Sequence, residues 1–310
     1  MRIGIMAAGA IGGYFGARLA KAGHEVVFFA RGAHLAAMRA NGLRVESPLG
    51  DMLIKPVVAT DDPKAVAPVA IVLFAVKLWD TERAAEQLKP AVNAGTRVIT
   101  LQNGVDSVER LTPILGADCV VGGSGLIATV IKEPGIISHT SQFAQVKCGR
   151  LDGKPDEKLT AFVAAAKAAG IDITQSESMQ RDRWQKFVFL VGLSGATALT
   201  RMSIGAVLAD PDTRAMFREI LDEVVTVGRA SGVDLAPDFA QDRFNYATTV
   251  PYGMKASMLH DLERGNRLEL DWLAGRVVEL GRKLGVTTPA NQAVYAALKL
   301  LRAGTAAQAK

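Results

Sequence analysis

A chain of 310 residues, 49% hydrophobic and 22% charged, has the length and composition for two globular domains with cores of their own. Its net charge of +5 is spread in alternating sign with no dense Lys/Arg block, which argues against nucleic acid as a partner. No apolar run is long enough to span a bilayer, which argues against a membrane protein. Cys119 and Cys148 stand far apart and fit neither a disulfide framework nor a metal-ligand spacing. Met1 leads into an apolar run with no charged leader, so the expectation is a cytoplasmic protein with buried thiols and no metal.

The first sixteen residues, MRIGIMAAGAIGGYFG, run from an apolar strand, Arg2–Met6, through small residues into a helical period with Phe15, Leu19 and Ala20 on one side. This is the pattern of a buried strand turning into a helix over a phosphate group, with Ala7, Ala8, Gly9, Ala10, Ile11 and Gly12 forming the turn. Gly9 would let the backbone approach a pyrophosphate. Gly12 would start the helix whose N–H groups face the anion, and Gly13 and Gly16 would keep that helix close to the strand. Ala7 stands where the usual first glycine would be. Taken alone, the A-x-G-x-x-G pattern therefore fits a dinucleotide loop and a plain tight strand–helix turn equally.

Further strands are read at Glu25–Ala30, Ala70–Val76, Arg97–Leu101 and Cys119–Ile127. They alternate with helices at Phe15–Ala22, Ala33–Ala40, Asp80–Leu88 and Asp106–Ile114. Such alternation predicts an α/β domain, a doubly wound parallel sheet with helices on both faces. Leu43–Val58 breaks the rhythm as a small β-excursion around the turn pair Gly50-Asp51. Ile136–Cys148 reads as another antiparallel pair, followed by a helix at Asp156–Ala169 and a closing strand at Ile171–Gln175. From Ser178 helical periods take over, at Asp182–Leu199, Pro211–Ser231, Asp238–Asn245, Ala256–Leu262, Glu269–Leu284 and Ala290–Ala303. The expected organisation is a nucleotide-binding domain over 1–177 and an all-helical domain over 178–310, with Gly304–Lys310 frayed.

Several positions could carry chemistry. Arg31 follows the second strand, where cofactors with a free ribose 2′-hydroxyl usually meet an acidic residue. An arginine there suits a 2′-phosphate and favours NADP over NAD, although a solvated loop arginine fits as well. Lys77 and Asn103 each follow a predicted strand at the carboxyl edge of the sheet. The first reads as a phosphate-side cation or a surface lysine, the second as an amide beside a nicotinamide or part of an Asn-Gly turn. His24, His34, His139 and His260 are scattered and receive no role. Lys186, Leu190 and Ser194 share one face of an otherwise apolar helix, where desolvation could lower a lysine pKa into the range of a proton donor; a snorkelling lysine is the alternative. Asn266 and Glu269 have capping-box spacing, and Glu269 could instead accept a hydrogen bond from a substrate hydroxyl.

Together these residues resemble the ketopantoate reductase family (2-dehydropantoate 2-reductase). The likeness runs through MRIGIMAAGAIGGYFG, Arg31, the AVKLWDT segment, LQNGV, WQKF, ALTRMSIGA and KASMLHDLERGNRLELDWLAG. The resemblance implies a Rossmann-type domain joined to a helical domain with the active site in the cleft between them, and a role in pantothenate biosynthesis. It implies NADPH as hydride donor and a small 2-oxo acid as substrate. By the same resemblance Lys186 is the general acid, and Glu269 holds the substrate's distal hydroxyl. Ser257 contacts the substrate, Asn103 positions substrate and nicotinamide, and Arg31 and Lys77 bind the phosphate side of the cofactor. Family members often carry asparagines one and two turns after the lysine; here Leu190 and Ser194 stand there, Ser194 being kept as a substrate contact. This departure leaves room for a paralogous reductase of another 2-oxo acid, and a non-catalytic NADP(H)-binding regulator is a third reading. The apolar helices Glu269–Leu284 and Ala290–Leu301 could pair in a homodimer or pack inside their own domain.

Overall fold

In chain order the first half consists of β1 (Arg2–Met6), α1 (Ala10–Lys21), β2 (Glu25–Phe29), α2 (Gly32–Asn41), β3 (Leu43–Glu46), β4 (Met52–Ile54) and β5 (Val58–Thr60). It continues with β6 (Ile71–Phe74), α3 (Thr81–Leu88), β7 (Arg97–Thr100), α4 (Ser107–Leu115), β8 (Val120–Glu133), β9 (Ile136–Gly149), α5 (Glu157–Ala168) and β10 (Asp172–Gln175). The computed structural model describes residues 1–66 and 68–305. It divides into two units, Met1–Asp182 and Arg183–Lys310. Of the tail read as frayed, the part beyond Thr305 lies outside the described residues.

Strands β5, β2, β1, β6, β7 and β8 lie side by side in that order, every neighbouring pair parallel. Their continuous apolar runs follow from burial on both faces. Ile3, Ile5, Phe28, Leu73 and Ile99 point into a core shared with Phe15 and Leu19 of α1, whereas Met6, Phe29, Val72, Phe74 and Val98 point into one shared with Ala84, Leu88 and Leu111. This is the Rossmann-type doubly wound arrangement. From β1 the chain moves outward through β2 to β5, then returns to the other side of β1 at β6. Such a reversal opens a crevice past the carboxyl ends of β1 and β6, where ligands of open α/β sheets bind.

The sheet's other half departs from the sequence reading. Cys119–Ile127 is only the first part of β8, and Ile136–Cys148 is a single strand, not a pair. β8 and β9 form one long antiparallel hairpin that turns at Gly135 (φ +83°). The expected excursion is present as the antiparallel pair β3 and β4, its turn closed by a Gly50 N–H to Ser47 carbonyl bond of 2.9 Å. That pair joins β9 through β3, and the end of the excursion, Val58, instead opens β5 beside β2. β10 closes the sheet parallel to β9. Cys119 and Cys148 are both free and buried, and burial pushes the Cys148 thiol up to about 12.

The second unit is all helical: α6 (Met179–Thr200), α7 (Ile204–Ala209), α8 (Pro211–Ala230), α9 (Phe239–Ala247), α10 (Ser257–Glu263), α11 (Ala274–Leu284) and α12 (Pro289–Leu298). α6 starts in the first unit and carries the chain into the second. Gly192 and Gly195 let neighbours approach it: a Cβ on Gly192 would lie 2.5 Å from Leu221 of α8, and one on Gly195 3.3 Å from Val294 of α12. The Glu223 carboxylate of α8 accepts the Ala290 and Asn291 N–H groups at 2.7 and 2.9 Å, tying down the start of α12. α7 has no counterpart in the sequence reading. The helix expected from Glu269 is a 3₁₀ turn, Leu270–Trp272, followed by α11 from Ala274.

Candidate active site

The turn after β1 is built by close packing beneath and left open above. α1 begins at Ala10 with Gly9 as its N-cap, so Gly12 lies inside the first turn and does not start the helix as expected. A Cβ on Gly12 would collide with the Ala7 carbonyl and lie 2.9 Å from Ile5, and one on Gly16 would lie 2.5 Å from Phe28. These glycines hold helix against strand. A Cβ on Gly9 would meet nothing within 4 Å, so the backbone there stays approachable. Gly13 N–H closes the first helical bond onto the Gly9 carbonyl at 2.7 Å, which leaves the N–H groups of Ala10, Ile11 and Gly12 at the helix start for an anion. Ala8 differs from the rest of the turn: its N–H is spent on the Phe29 carbonyl at 2.7 Å, so it anchors the loop to β2 and does not face outward as a donor.

Arg31 and Lys77 flank this turn from the neighbouring strand ends. Arg31 is the exposed N-cap residue of α2, with its guanidinium 5.0 Å over the Phe29 ring and an Nη2 bond of 2.8 Å to Gln87 of α3. Lys77 is exposed just past β6, its ammonium 5.5 Å from the Trp79 ring. Asn103 lies half-buried past β7, followed by Gly104 at φ +81°. Gln102, a residue to which the sequence reading gave no role, holds these two strand ends in register. It is buried, and its amide donates to the Val76 carbonyl at 3.1 Å and the Thr81 hydroxyl at 2.8 Å, while its oxygen accepts from Thr100 at 3.2 Å. The loops carrying Lys77 and Asn103 are thus joined by one satisfied amide.

In the second unit Lys186 lies half-buried on α6 among Phe187, Val188 and Val191, all buried. Burial pushes its ammonium down to about 8; the Glu269 carboxylate opposes that shift and the Arg183 guanidinium adds to it. Three charged groups therefore act on one another here. Glu269 is buried just ahead of the 3₁₀ turn, and Arg183 is buried one turn before Lys186. The sequence reading missed Arg183, although its i, i+3 spacing to Lys186 was the available signal. The capping box expected for Glu269 is absent: Asn266 instead bonds back to Asp261 of α10, through its N–H at 2.8 Å and its side-chain amide at 3.1 Å. Ser194, two turns beyond Lys186, is completely buried and its hydroxyl has no hydrogen-bond partner. Ser257 is exposed at the first position of α10.

Two family models match nearly the whole chain: Ketopantoate reductase PanE/ApbA over residues 3–153 and Ketopantoate reductase PanE/ApbA C terminal over residues 178–302. The chain belongs to the ketopantoate reductase family. The 2-dehydropantoate 2-reductase of Mesorhizobium japonicum is 32% identical to it, over 97% of this chain and 98% of that one. A solved PanE/ApbA family ketopantoate reductase from Ralstonia eutropha JMP134 matches with a TM-score of 0.90 at 34% identity, over 97% of this chain and 98% of that one. D-mandelate dehydrogenase, solved with NADH and anilino(oxo)acetate, matches at a TM-score of 0.88 over 97% and 98% of the two chains. Its 16% identity makes that a likeness of fold. As a ketopantoate reductase family member the protein is an oxidoreductase acting on a CH–OH group, and the family belongs to pantothenate biosynthesis. Among the described residues no helix is long and apolar enough to cross a membrane.

Proposed function

We propose that this member of the ketopantoate reductase family reduces 2-dehydropantoate to pantoate with NADPH, residues 1–177 holding the cofactor and 178–310 supplying the acid and substrate contacts. The observation that carries the reading is Lys186: a single lysine in an apolar stretch of α6, its pKa brought down to about 8 by burial, with the Arg183 guanidinium adding to the shift and the Glu269 carboxylate opposing it. The residues of the first unit fit a dinucleotide. Gly9 has open space where a side chain would be, and the N–H groups of Ala10, Ile11 and Gly12 suit a diphosphate. Arg31 suits a ribose 2′-phosphate, with Lys77 adding positive charge at the adjacent strand end. Asn103 places an amide where nicotinamide and substrate would meet.

The bound nicotinamide supplies the hydride. Lys186 holds the proton that the former ketone oxygen takes as negative charge builds on it, and its lowered pKa keeps that proton transferable near neutral pH. The neutral lysine then recovers a proton from solvent. Glu269 accepts a hydrogen bond from the substrate's distal hydroxyl and holds positive charge on Lys186. Ser257 binds the substrate from the start of α10. Ser194, with its partnerless hydroxyl, is assigned a polar contact on the same face of α6.

A second reading keeps the reaction and changes the substrate. Leu190, half-buried between Lys186 and Ser194, offers an apolar surface where the resemblance expects an asparagine, and this favours a related 2-oxo acid. Steady-state turnover over a panel of 2-oxo acids, each with NADPH and with NADH, separates the readings. The first requires 2-dehydropantoate with NADPH to have the highest kcat/KM. NADPH binding with no turnover on any member would instead mark a regulator.

A further inference from the structure

The first unit holds a cavity of about 260 Å³ that plays no part in the reaction. Its walls come from α1 (Tyr14 and Arg18), the turn between β3 and β4 (Leu49), β9 (Gln142 to Gln145) and the turn that leads from α5 into β10 (Gly170 to Asp172). Tyr14 and Arg18 stand four residues apart on one face of α1. Arg18 is eight residues beyond Ala10, about 12 Å along the axis from the helix start, so its position is separate from the turn that suits a diphosphate.

Two opposite charges line this cavity without meeting. The half-buried Arg18 donates from Nη2 to the Leu49 carbonyl at 2.8 Å and to the Tyr14 hydroxyl at 3.2 Å. Its Nη1 makes no hydrogen bond among the described residues. That nitrogen lies 3.9 Å from where a Cβ on Gly170 would stand, so it faces the turn leading to Asp172. Asp172 is exposed at the first position of β10, and its Oδ2 accepts the Gln145 amide at 2.7 Å. Among the described residues no carboxylate lies within 4.0 Å of the Arg18 guanidinium, and no cation within 4.0 Å of the Asp172 carboxylate. A half-buried guanidinium gives up hydration on folding, and here no carboxylate replaces it. Leu49, Phe143, Ala144 and Ile171 supply apolar wall. The Tyr14 ring packs 4.7 Å from the buried His139 ring, whose two nitrogens bond to the Ser47 and Ser141 hydroxyls at 2.8 and 2.9 Å. That side of the cavity is therefore preformed.

The volume lies below the roughly 300–1,000 Å³ of drug-sized sites, which rules out a nucleotide and suits a small metabolite. We propose that the cavity binds a small zwitterion, an α-amino acid with a short apolar side chain, its carboxylate on Arg18 Nη1 and its ammonium on the Asp172 carboxylate. The proposal does not depend on the reductase reading.

Calorimetric titration of the full chain with alanine, valine, leucine and isoleucine tests it. At least one binds with a Kd below about 1 mM. For that ligand, the carboxylic acid lacking the amine and the amide lacking the carboxylate each bind about 10–100-fold more weakly, as for one lost charge-assisted hydrogen bond. Asp172→Asn, on an exposed side chain, weakens the amino acid by the same factor and leaves the amine-free acid unchanged. Arg18→Gln weakens both, with Tm recorded because Arg18 also holds the Leu49 turn. No measurable binding of any of the four amino acids would overturn the proposal, as would binding that Asp172→Asn leaves unchanged. An amine-free acid that binds as tightly as its amino acid would mark an anion site only and overturn the zwitterion assignment.

Discussion

The charge cluster on α6 can be titrated through its neighbours. Burial pushes the Lys186 ammonium from the ordinary lysine value of 10.5 down to about 8. As a general acid it must be protonated, so kcat for reduction should be level below pH 8 and fall tenfold per unit above it. In the reverse direction, alcohol oxidation, the neutral lysine is needed and the rate should rise through the same pKa. Glu269→Gln removes the carboxylate that holds the pKa up, so the limb should move to lower pH. Arg183→Gln removes the guanidinium that pushes it down, so the limb should move to higher pH. At an effective dielectric of about 20, a neighbouring unit charge is worth on the order of 1–4 kcal/mol. Each displacement should therefore be on the order of one pH unit. The assay is kcat against pH in both directions for the native protein and both variants, with Tm recorded because Arg183 is buried. Glu269→Gln will also lower the height of the profile, but its inflection carries the test. Limbs that stay in place, or that move in the same direction in both variants, would refute the assignment of Lys186 as the acid.

Lys186→Met should lower turnover by about 10²–10⁴-fold while leaving the Kd for NADPH unchanged, as measured by titration. It should also raise Tm. The folded pKa lies below the unfolded one, so the native chain bears the cost of burying the ammonium in full below pH 8 and loses it as pH rises from 8 to 10.5; the variant's advantage should fade over that window. The glycines of the first turn should separate by melting and binding. Gly12→Ala, with a Cβ forced into the Ala7 carbonyl, should destabilise by about 1–3 kcal/mol. Gly9→Ala, at φ −70° with nothing within 4 Å, should leave Tm unchanged and weaken NADPH binding. Arg31→Ala should raise KM for NADPH by about 10–100-fold without changing KM for NADH, because only the first carries a 2′-phosphate.

How much of this was legible in the sequence depended on what holds each piece in place. The parallel half of the sheet was readable because its strands are buried on both faces and so appear as unbroken apolar runs. β8 and β9 were misread because their outer halves are largely exposed, with residues such as Leu126, Val130 and Ile131 facing solvent, so neither run nor alternation marks their length. Three-residue β5 and six-residue α7 are too short to show a period at all, and only their neighbours fix them. In the site, Lys186 stood out as a charge in an apolar helix. Gln102 did not, because its significance lies in the Val76 carbonyl and Thr81 hydroxyl it reaches, 26 and 21 residues away. For Glu269 the spacing to Asn266 suggested a cap, while Asn266 bonds back to Asp261 and Glu269 immediately precedes a 3₁₀ turn.

The two units bear their candidate functional residues at different structural cost. In the first, the glycines pack, Arg31 is exposed beside Gln87, and Gln102 has its bonds made, so residues around the proposed cofactor site also serve the fold. In the second, α6 carries a lysine whose ammonium is held below its ordinary pKa by burial, a buried arginine and a buried hydroxyl without a partner. Phe187, Val188 and Val191 show what the same helix uses where stability alone decides. A partnerless buried hydroxyl costs about 1–3 kcal/mol, so its presence on the face of Lys186 needs a reason outside the resting fold. Leu190, lying between them, carries no such cost, and it has a consequence for selectivity. A site that hydrogen-bonds its substrate rejects an analogue lacking the group by about 10⁴–10⁵, while an apolar wall discriminates by only about 10–200-fold per methylene. With leucine at that position, the proposed function puts selection among 2-oxo acids on the remaining proposed polar contacts, Glu269 and Ser257 first.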